Sequence, residues 1–305
     1  MSFVKYDCSA AKFGSLKMLQ TQINKTLWGI LMQGSAATQS RLWIGLLLAI
    51  SALLSSLTVL AQTEETQIQA EQVAKGIYMR TGRGGNIGLS AGEDATFIID
   101  DQFAPLTDTI VTAIAAITDR PVDYALNTHW HGDHTGGNEN FGKQGALIMA
   151  HAKVRSRMTE GCVAGERSIE PAPKVALPVV TFNDALSLHV NSQTIKGIHI
   201  HHAHTDGDVI VYFRAGNVIH MGDTFFSGRH PYIDLNSGGH IDGVIKAAEV
   251  ALTLGDESTK IIPEHGQLAS KADLQRHYDM VVEVRAAVAA MIDSGKTHCP
   301  VRWQR

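Results

Sequence analysis

Within the stretch HWHGDHTGGN, residues 129–138, four side chains able to ligate a metal stand almost side by side: His129, His131, Asp133 and His134. One short loop cannot aim all of them at a single ion, and a closed site needs ligands from more than one segment. The chain must therefore bring other ligands to this loop from far away in sequence. Two residues apart in an extended segment, His129 and His131 project to the same side and converge on one ion. Asp133 and His134 lie beyond the turn at Gly132 and face a second ion, as two-metal hydrolytic sites require.

Three distant candidates each follow a predicted strand. His204 comes after TIKGIHI, Asp223 after NVIHM, and His265 after KII. His129, His131 and His204 with a water would make one tetrahedral zinc site, and Asp133, His134 and His265 would make its neighbour, with Asp223 bridging the two. A water held between two such ions loses a proton near neutral pH and becomes the attacking hydroxide without a separate protein base. Asp133 is the candidate catalytic residue.

The surrounding pattern places these residues. GIYMRTGRGGNIGLSAGEDATFIIDD alternates short β-rich runs with glycine turns and reads as a strand meander, GRGGNIG being a hairpin turn because it lacks the Lys-Ser/Thr and the helix of a phosphate loop. A helix is expected over 105–118, a strand running into the ligand loop, a strand at GALIMAH and a short helix over 152–160. Residues 161–178, with three prolines and no period, read as a long surface loop over the active site. The strands VVTF, LSLHV, TIKGIHIHH, DVIVYF and NVIHMGD follow, then a helix near 240–254, the strand KIIPEHG and a closing helix over 270–293. The order suggests two similar halves, each a sheet with helices, whose apolar faces pack together.

The set His129-x-His131-x-Asp133-His134, followed in order by His204, Asp223 and His265, resembles the metallo-β-lactamase superfamily over about residues 76–293. The resemblance implies an α+β fold, a four-layer αβ/βα sandwich of two β-sheets flanked by helices, and a dinuclear site between the sheets holding two Zn2+, with iron or manganese in some branches. The Gly222-Asp223-Thr224 element resembles that of glyoxalase II and the lactonases, whereas zinc β-lactamases generally carry cysteine or serine near that position. Two departures stand out. Glu264 precedes His265 where the family commonly has glycine, so it either points away from the metals or adds negative charge beside the second one. Only about forty residues follow His265, short of the helical domain with which glyoxalase II binds glutathione.

The other histidines read first as surface or supporting residues. His199, His201 and His202 are expected on the strand leading to His204, where alternation leaves at most His202 on the ligand face. His151, His189, His220, His277 and His298 have the same default, with His220 placed to orient a ligand. In FFSGRHPYID, residues 225–234, Arg229, His230 and Tyr232 form either a packed turn or a substrate wall with Arg229 on a carboxylate.

Residues 42–61, LWIGLLLAISALLSSLTVLA, are uncharged, follow Arg41 and end in the small-x-small pattern Val59-Leu60-Ala61. They read as a secretory signal cleaved after Ala61, giving a periplasmic or secreted protein, with an uncleaved membrane anchor as the alternative. The domain reading is thus a leader with signal or anchor over 1–61 and a hydrolase domain over 62–305. The full chain has a formal net charge of −4. Cleavage removes Lys5, Lys12, Lys17, Lys25 and Arg41 against one acid, Asp7, so the remainder is more acidic still, which excludes nucleic acid as a partner. All 15 histidines stay in it. Cys162 and Cys299 belong to no C-x-x-C pair and read as free thiols or as one disulfide.

The reading is an exported dinuclear zinc hydrolase acting on a small molecule, an ester, thioester, lactone or β-lactam. Its rivals are a class B-type β-lactamase specifically, an iron-dependent oxidoreductase similar to the sulfur dioxygenases, and a non-enzymatic metal-binding protein.

Overall fold

The central strands are continuous apolar runs buried on both faces, and alternate residues along each pack against different layers. The computed structural model describes residues 69–164 and 167–295. An antiparallel meander comes first: β1 (Gln69–Ala74), β2 (Ile77–Gly82), β3 (Gly85–Ala91) and β4 (Thr96–Ile99). The β2–β3 turn closes on the pair Gly82↔Gly85, so GRGGNIG is a hairpin tip. Pro105 opens a short 3-10 turn, Ala104–Leu106, that leads into α1 (Thr107–Ala115). Next come β5 (Tyr124–Asn127), α2 (Gly132–Thr135), α3 (Asn138–Lys143), β6 (Leu147–His151) and α4 (Ala152–Glu160).

Residues 161–178 are not the uninterrupted loop the prolines suggested. They hold a small hairpin of β7 (Cys162–Ala164) and β8 (Arg167–Ile169) and a 3-10 turn, Lys174–Ala176. Leu177 and Ala172 pack with Trp130, Val154 and Met158, which ties the end of the segment to α4. β9 (Val180–Phe182) then pairs in parallel with β6, so it completes the first sheet instead of opening the second half. That sheet has seven strands in the order β1-β2-β3-β4-β5-β6-β9, parallel from β4 onward.

The second sheet contains β10 (Ala185–Val190), β11 (Gln193–His199), β12 (Val209–Phe213), β13 (Val218–His220), β14 (Lys260–Ile262) and β15 (Ala269–Ser270), in that order. The crossover between the parallel neighbours β13 and β14 contains α5 (Ile241–Leu254). The chain then runs through α6 (Lys271–Asp293), whose start is fixed by a capping box between Ser270 and Asp273.

Odd and even positions separate three cores. Phe97 and Ile99 of β4, Leu126 of β5 and Met149 of β6 meet Val209, Val211 and Phe213 of β12, Val218 and Ile262 between the sheets. The alternate residues Ile98, Ala125 and Ile148 face Ile110 and Ile114 of α1 and Phe141 of α3. On the other side Ile210, Ile219 and Ile261 face Val244, Ala247, Ala248 and Ala251 of α5 and Leu274 and Val281 of α6. Full burial of each such aliphatic or aromatic side chain contributes roughly 1.5–3 kcal/mol. The result is the four-layer sandwich, helices outside two sheets, with β5, β11 and β13 all ending at one rim. Among the described residues no helix is long and apolar enough to cross a membrane. Residues 1–61, Cys299 and the side chain of Cys162 lie outside the described residues.

Candidate metal centre

The loop after β5 delivers His129 and His131, the turn after β11 delivers His204, and the 3-10 turn Gly222–Thr224 after β13 delivers Asp223. Each places one donor atom within 4.8 Å of all the others. His131 Nδ1 is 2.9 Å from His129 Nε2 and 3.0 Å from His204 Nε2, and Asp223 Oδ2 is 3.1 Å from His204 Nε2. The other oxygen of Asp223 faces the second group: Oδ1 is 3.3 Å from His265 Nε2 and 3.7 Å from His134 Nε2, which in turn is 3.7 Å from Asp133 Oδ1. All seven sequence candidates thus meet at one rim of the sandwich, three histidines on one side of Asp223 and the remaining three residues on the other.

Every ring of the first group has its second nitrogen engaged by an acceptor, and this decides which nitrogen is bare. His131 Nε2–H donates to Asp234 Oδ2 at 2.9 Å, and His204 Nδ1–H donates to the Tyr232 carbonyl at 2.8 Å. His129 Nδ1 is 3.3 Å from Thr128 Oγ1, whose own proton goes to Asp100 Oδ2. Across the bridge, His134 Nδ1–H donates to the same Asp100 oxygen at 3.0 Å. Such acceptors fix tautomer and ring angle and raise the basicity of the free nitrogen. The bare nitrogens all point inward, lone pair against lone pair, an arrangement that only a cation or protons can stabilise.

Protons compete poorly in the first group. Burial, then His134 and His204, pushes the His129 pKa well below its ordinary value, and burial with His204 lowers that of His131. Burial opposes ionisation of Asp223, but His134, His265 and His204 overcome it and hold its pKa at about 2. His134 Nε2 and Asp223 Oδ1 are both buried and lack a hydrogen-bond partner. Orphaned buried polar atoms are costly unless something pairs with them. Divalent cations bound by these residues would satisfy both atoms, and the imidazole and carboxylate donor set is one that zinc, iron and manganese accept. The residues fit the metals.

Gly222 makes the bridge possible: it adopts φ +51, and a Cβ there would stand 2.8 Å from Thr128 Cβ. Asp100, at φ +63 directly after β4, accepts from the Thr128 backbone N–H at 2.7 Å as well as from the Thr128 hydroxyl and His134. A non-glycine residue in that conformation costs energy and persists where surrounding contacts impose it. Sequence reasoning missed Asp100, Thr128 and Asp234. The run TFIIDD and the turn signature Asp-x-x-Ser at 234–237 were the available signals.

Glu264 lies behind the cluster, on the Nδ1 side of His134. Its side chain lies under His134, with Oε1 3.6 Å from His134 Nδ1 and Oε2 3.9 Å from His220 Nε2, completely buried and without a hydrogen-bond partner. Burial pushes its pKa well above the usual carboxylate range, against the opposing pull of His134. His220 holds the turn that carries Asp223 through its backbone: its Nε2–H donates to the Asn86 carbonyl and its Nδ1 accepts from Gly222 N–H.

The alternation expected for His199, His201 and His202 fails because β11 ends at His199 and residues 201–207 are turns and bends. His202, at φ +50, donates from Nδ1 to the Gly238 carbonyl, and His199 donates from Nδ1 to Asp208. Neither is a ligand. Arg229 and Tyr232 are exposed beside the centre, and the Tyr232 ring lies 5.7 Å from that of His204.

Residues 80–265 match the family model described as the metallo-beta-lactamase superfamily. Among solved structures, the DIM-1 metallo-beta-lactamase superposes with a TM-score of 0.58 at 22% identity, covering 72% of this chain and 98% of that one. A metallo-beta-lactamase from Pontibacter korlensis gives 0.59 at 17% identity over 70% and 99% of the two chains. VMB-1 gives 0.60 at 10% identity over 72% and 99%. At these identities the likeness concerns the fold. No curated protein matches.

Proposed function

Because the chain belongs to the metallo-β-lactamase superfamily, we propose that it is a hydrolase that holds two divalent cations, zinc by preference, and cleaves an ester, thioester, lactone or β-lactam. The observation that carries this reading is the two-sided Asp223 carboxylate, with Oδ2 facing the three histidines His129, His131 and His204 and Oδ1 facing His134 and His265. When bound, two such cations supply Lewis acidity and bring the pKa of a coordinated water to about neutrality.

The chain's own residues do the rest. Asp100, Asp234 and the Tyr232 carbonyl hold the ligand rings in one tautomer and one orientation, so little reorganisation accompanies reaction. Asp133 is half-buried, with its side chain 29% accessible, the most open of the acids at the centre. Beside His134 it would serve as a ligand of the second cation. The donor set serves iron also, and a purified protein carrying redox-active iron and consuming oxygen would point to the oxidoreductase reading instead. Export rests on residues 42–61, and its readout is the N-terminal residue of protein recovered from the cell envelope.

The test is turnover by the zinc-loaded protein of a chromogenic cephalosporin, a thioester and an aromatic lactone. The reading expects hydrolysis of at least one class, with Asp133→Asn reducing kcat by about 100-fold or more while circular dichroism is unchanged. Full activity in Asp133→Asn, or no turnover of any class with two metals bound, overturns it.

A further inference from the structure

Trp130 stands in the chain between two candidate ligands, His129 and His131, and its indole is buried in an apolar cluster with Ala150, Val154, Met158 and Leu177. Its one polar atom reaches out of that cluster: Nε1–H donates to Ser237 Oγ at 3.1 Å, across 107 residues of chain. An indole nitrogen can only donate, so Ser237 accepts there and its own proton is left for another acceptor. That acceptor is Asp234 Oδ2, the oxygen that also receives His131 Nε2–H. Two neighbours in the ligand loop, Trp130 and His131, thus grip Ser237 and Asp234 of one turn, and the four side chains close a ring. A single tie would leave the turn free to pivot; two ties at separate points fix both the distance and the angle of the carboxylate to the imidazole.

The turn needs the second tie, because from Gly228 to Asn236 no residue is buried, and Ser237 is the first buried one after Phe225. The indole, by contrast, is held firmly. Arg157 lies over it, with Cζ 5.7 Å from the ring centroid, and the same guanidinium forms a bidentate pair with Asp206, whose backbone N–H donates to the Ser237 carbonyl. We propose that Trp130 is a positioning residue of the candidate metal centre: through Ser237 it holds Asp234 against His131 Nε2 and so keeps His131 Nδ1 directed at the donor atoms of His129 and His204. The proposal rests on the metal-binding part of the reading above and not on which bond is cleaved. Phenylalanine at this position would fill the apolar cluster but leave Ser237 without its donor, and a ligand ring whose outer partner is loosened must be ordered when the cation binds.

Competition between the full chain and a chromophoric chelator for zinc reads the effect. Trp130→Phe and Ser237→Ala are each expected to weaken binding about fivefold or more, the effect of one net hydrogen bond. In the Asp234→Ala background, where the tie has no carboxylate to hold, Trp130→Phe is expected to change affinity less than about twofold. A loss as large in that background as in the wild type means that Trp130 acts by packing alone and overturns the proposal; so does an affinity that neither Trp130→Phe nor Ser237→Ala changes. If Trp130→Phe does not fold, Ser237→Ala, which leaves the apolar cluster whole, gives the same comparison. The spectroscopic readout is the His131 Nε2–H proton in nuclear magnetic resonance, identified by its absence from His131→Gln. It is expected to exchange with water about tenfold faster in Trp130→Phe and in Ser237→Ala, and unchanged exchange in both overturns the proposal. If the wild type binds no zinc, the metal reading fails, and the same exchange rates in the metal-free chain still decide whether Trp130 holds Asp234 on His131.

Discussion

His131 Nε2 and Asp234 Oδ2 lie 2.9 Å apart, although 103 residues separate them in the chain. Asp234 also accepts from Asn236 N–H and from the Ser237 hydroxyl, so one carboxylate both folds the 225–240 segment and holds a ring of the candidate metal centre. Asp234→Ala is therefore expected to lower affinity for the more weakly held zinc about 10–100-fold. Asp234→Asn keeps an acceptor and loses much less. Competition with a chromophoric chelator measures both, and equal affinities in wild type and Asp234→Ala would refute the positioning role.

Asp223 is the one acid facing both histidine groups among the described residues, so its removal should act on both metals. Asp223→Ala is expected to bind fewer than two zinc ions per chain by elemental analysis. It should also lose most of the wild type's fall in melting temperature on chelation. Binding to the native state alone is worth about 2.7 kcal/mol at a ligand concentration of 100 times Kd. An unchanged stoichiometry would show that Asp223 is not the bridge.

Gly85 and Glu264 share one space. At φ +128, a Cβ on Gly85 would stand 2.3 Å from Glu264 Oε1. Gly85→Ala should destabilise the protein by about 2 kcal/mol or more, through this clash and the backbone conformation together. In the Glu264→Gly background the clash is gone and only the backbone cost remains. Urea unfolding of the four proteins gives a coupling energy that should be clearly nonzero.

Away from the metals, His199 stacks on His151 with ring centroids 3.7 Å apart. Burial, then His151, lowers the His199 pKa from 6.5 to about 4. The groups facing it include His201 and Asp184, and His151 itself donates to the Asn183 carbonyl. The unfolded chain takes up the proton first as pH falls, so the contribution of His199 is complete above pH 6.5 and is lost between there and about 4. His199→Phe keeps the stack and removes this titration. Its stability should fall less than that of wild type from about pH 7 to about pH 4.5 in chemical denaturation with chelator present. Parallel losses would show that His199 does not titrate in this window.

Periodicity alone determined most of the framework. The helix expected over 152–160 is α4 residue for residue, and those expected near 240–254 and over 270–293 begin one residue later than read, because their apolar spacing and cap residues are local properties of the chain. The seven candidate ligands that meet around Asp223 were legible too, since ligand-type side chains at strand ends form a pattern in one dimension. Three things required the fold. β9 joined the first sheet because an edge beside β6 was free to pair, a fact about a surface and not about the sequence VTF. The hairpin inside 161–178 and the end of β11 at His199 depended on neighbours that turn the chain. The support of the centre by Asp100, Asp234, Thr128 and the Tyr232 carbonyl was likewise decided in three dimensions, because which nitrogen of a histidine is left bare depends on an acceptor that for His131 stands 103 residues away.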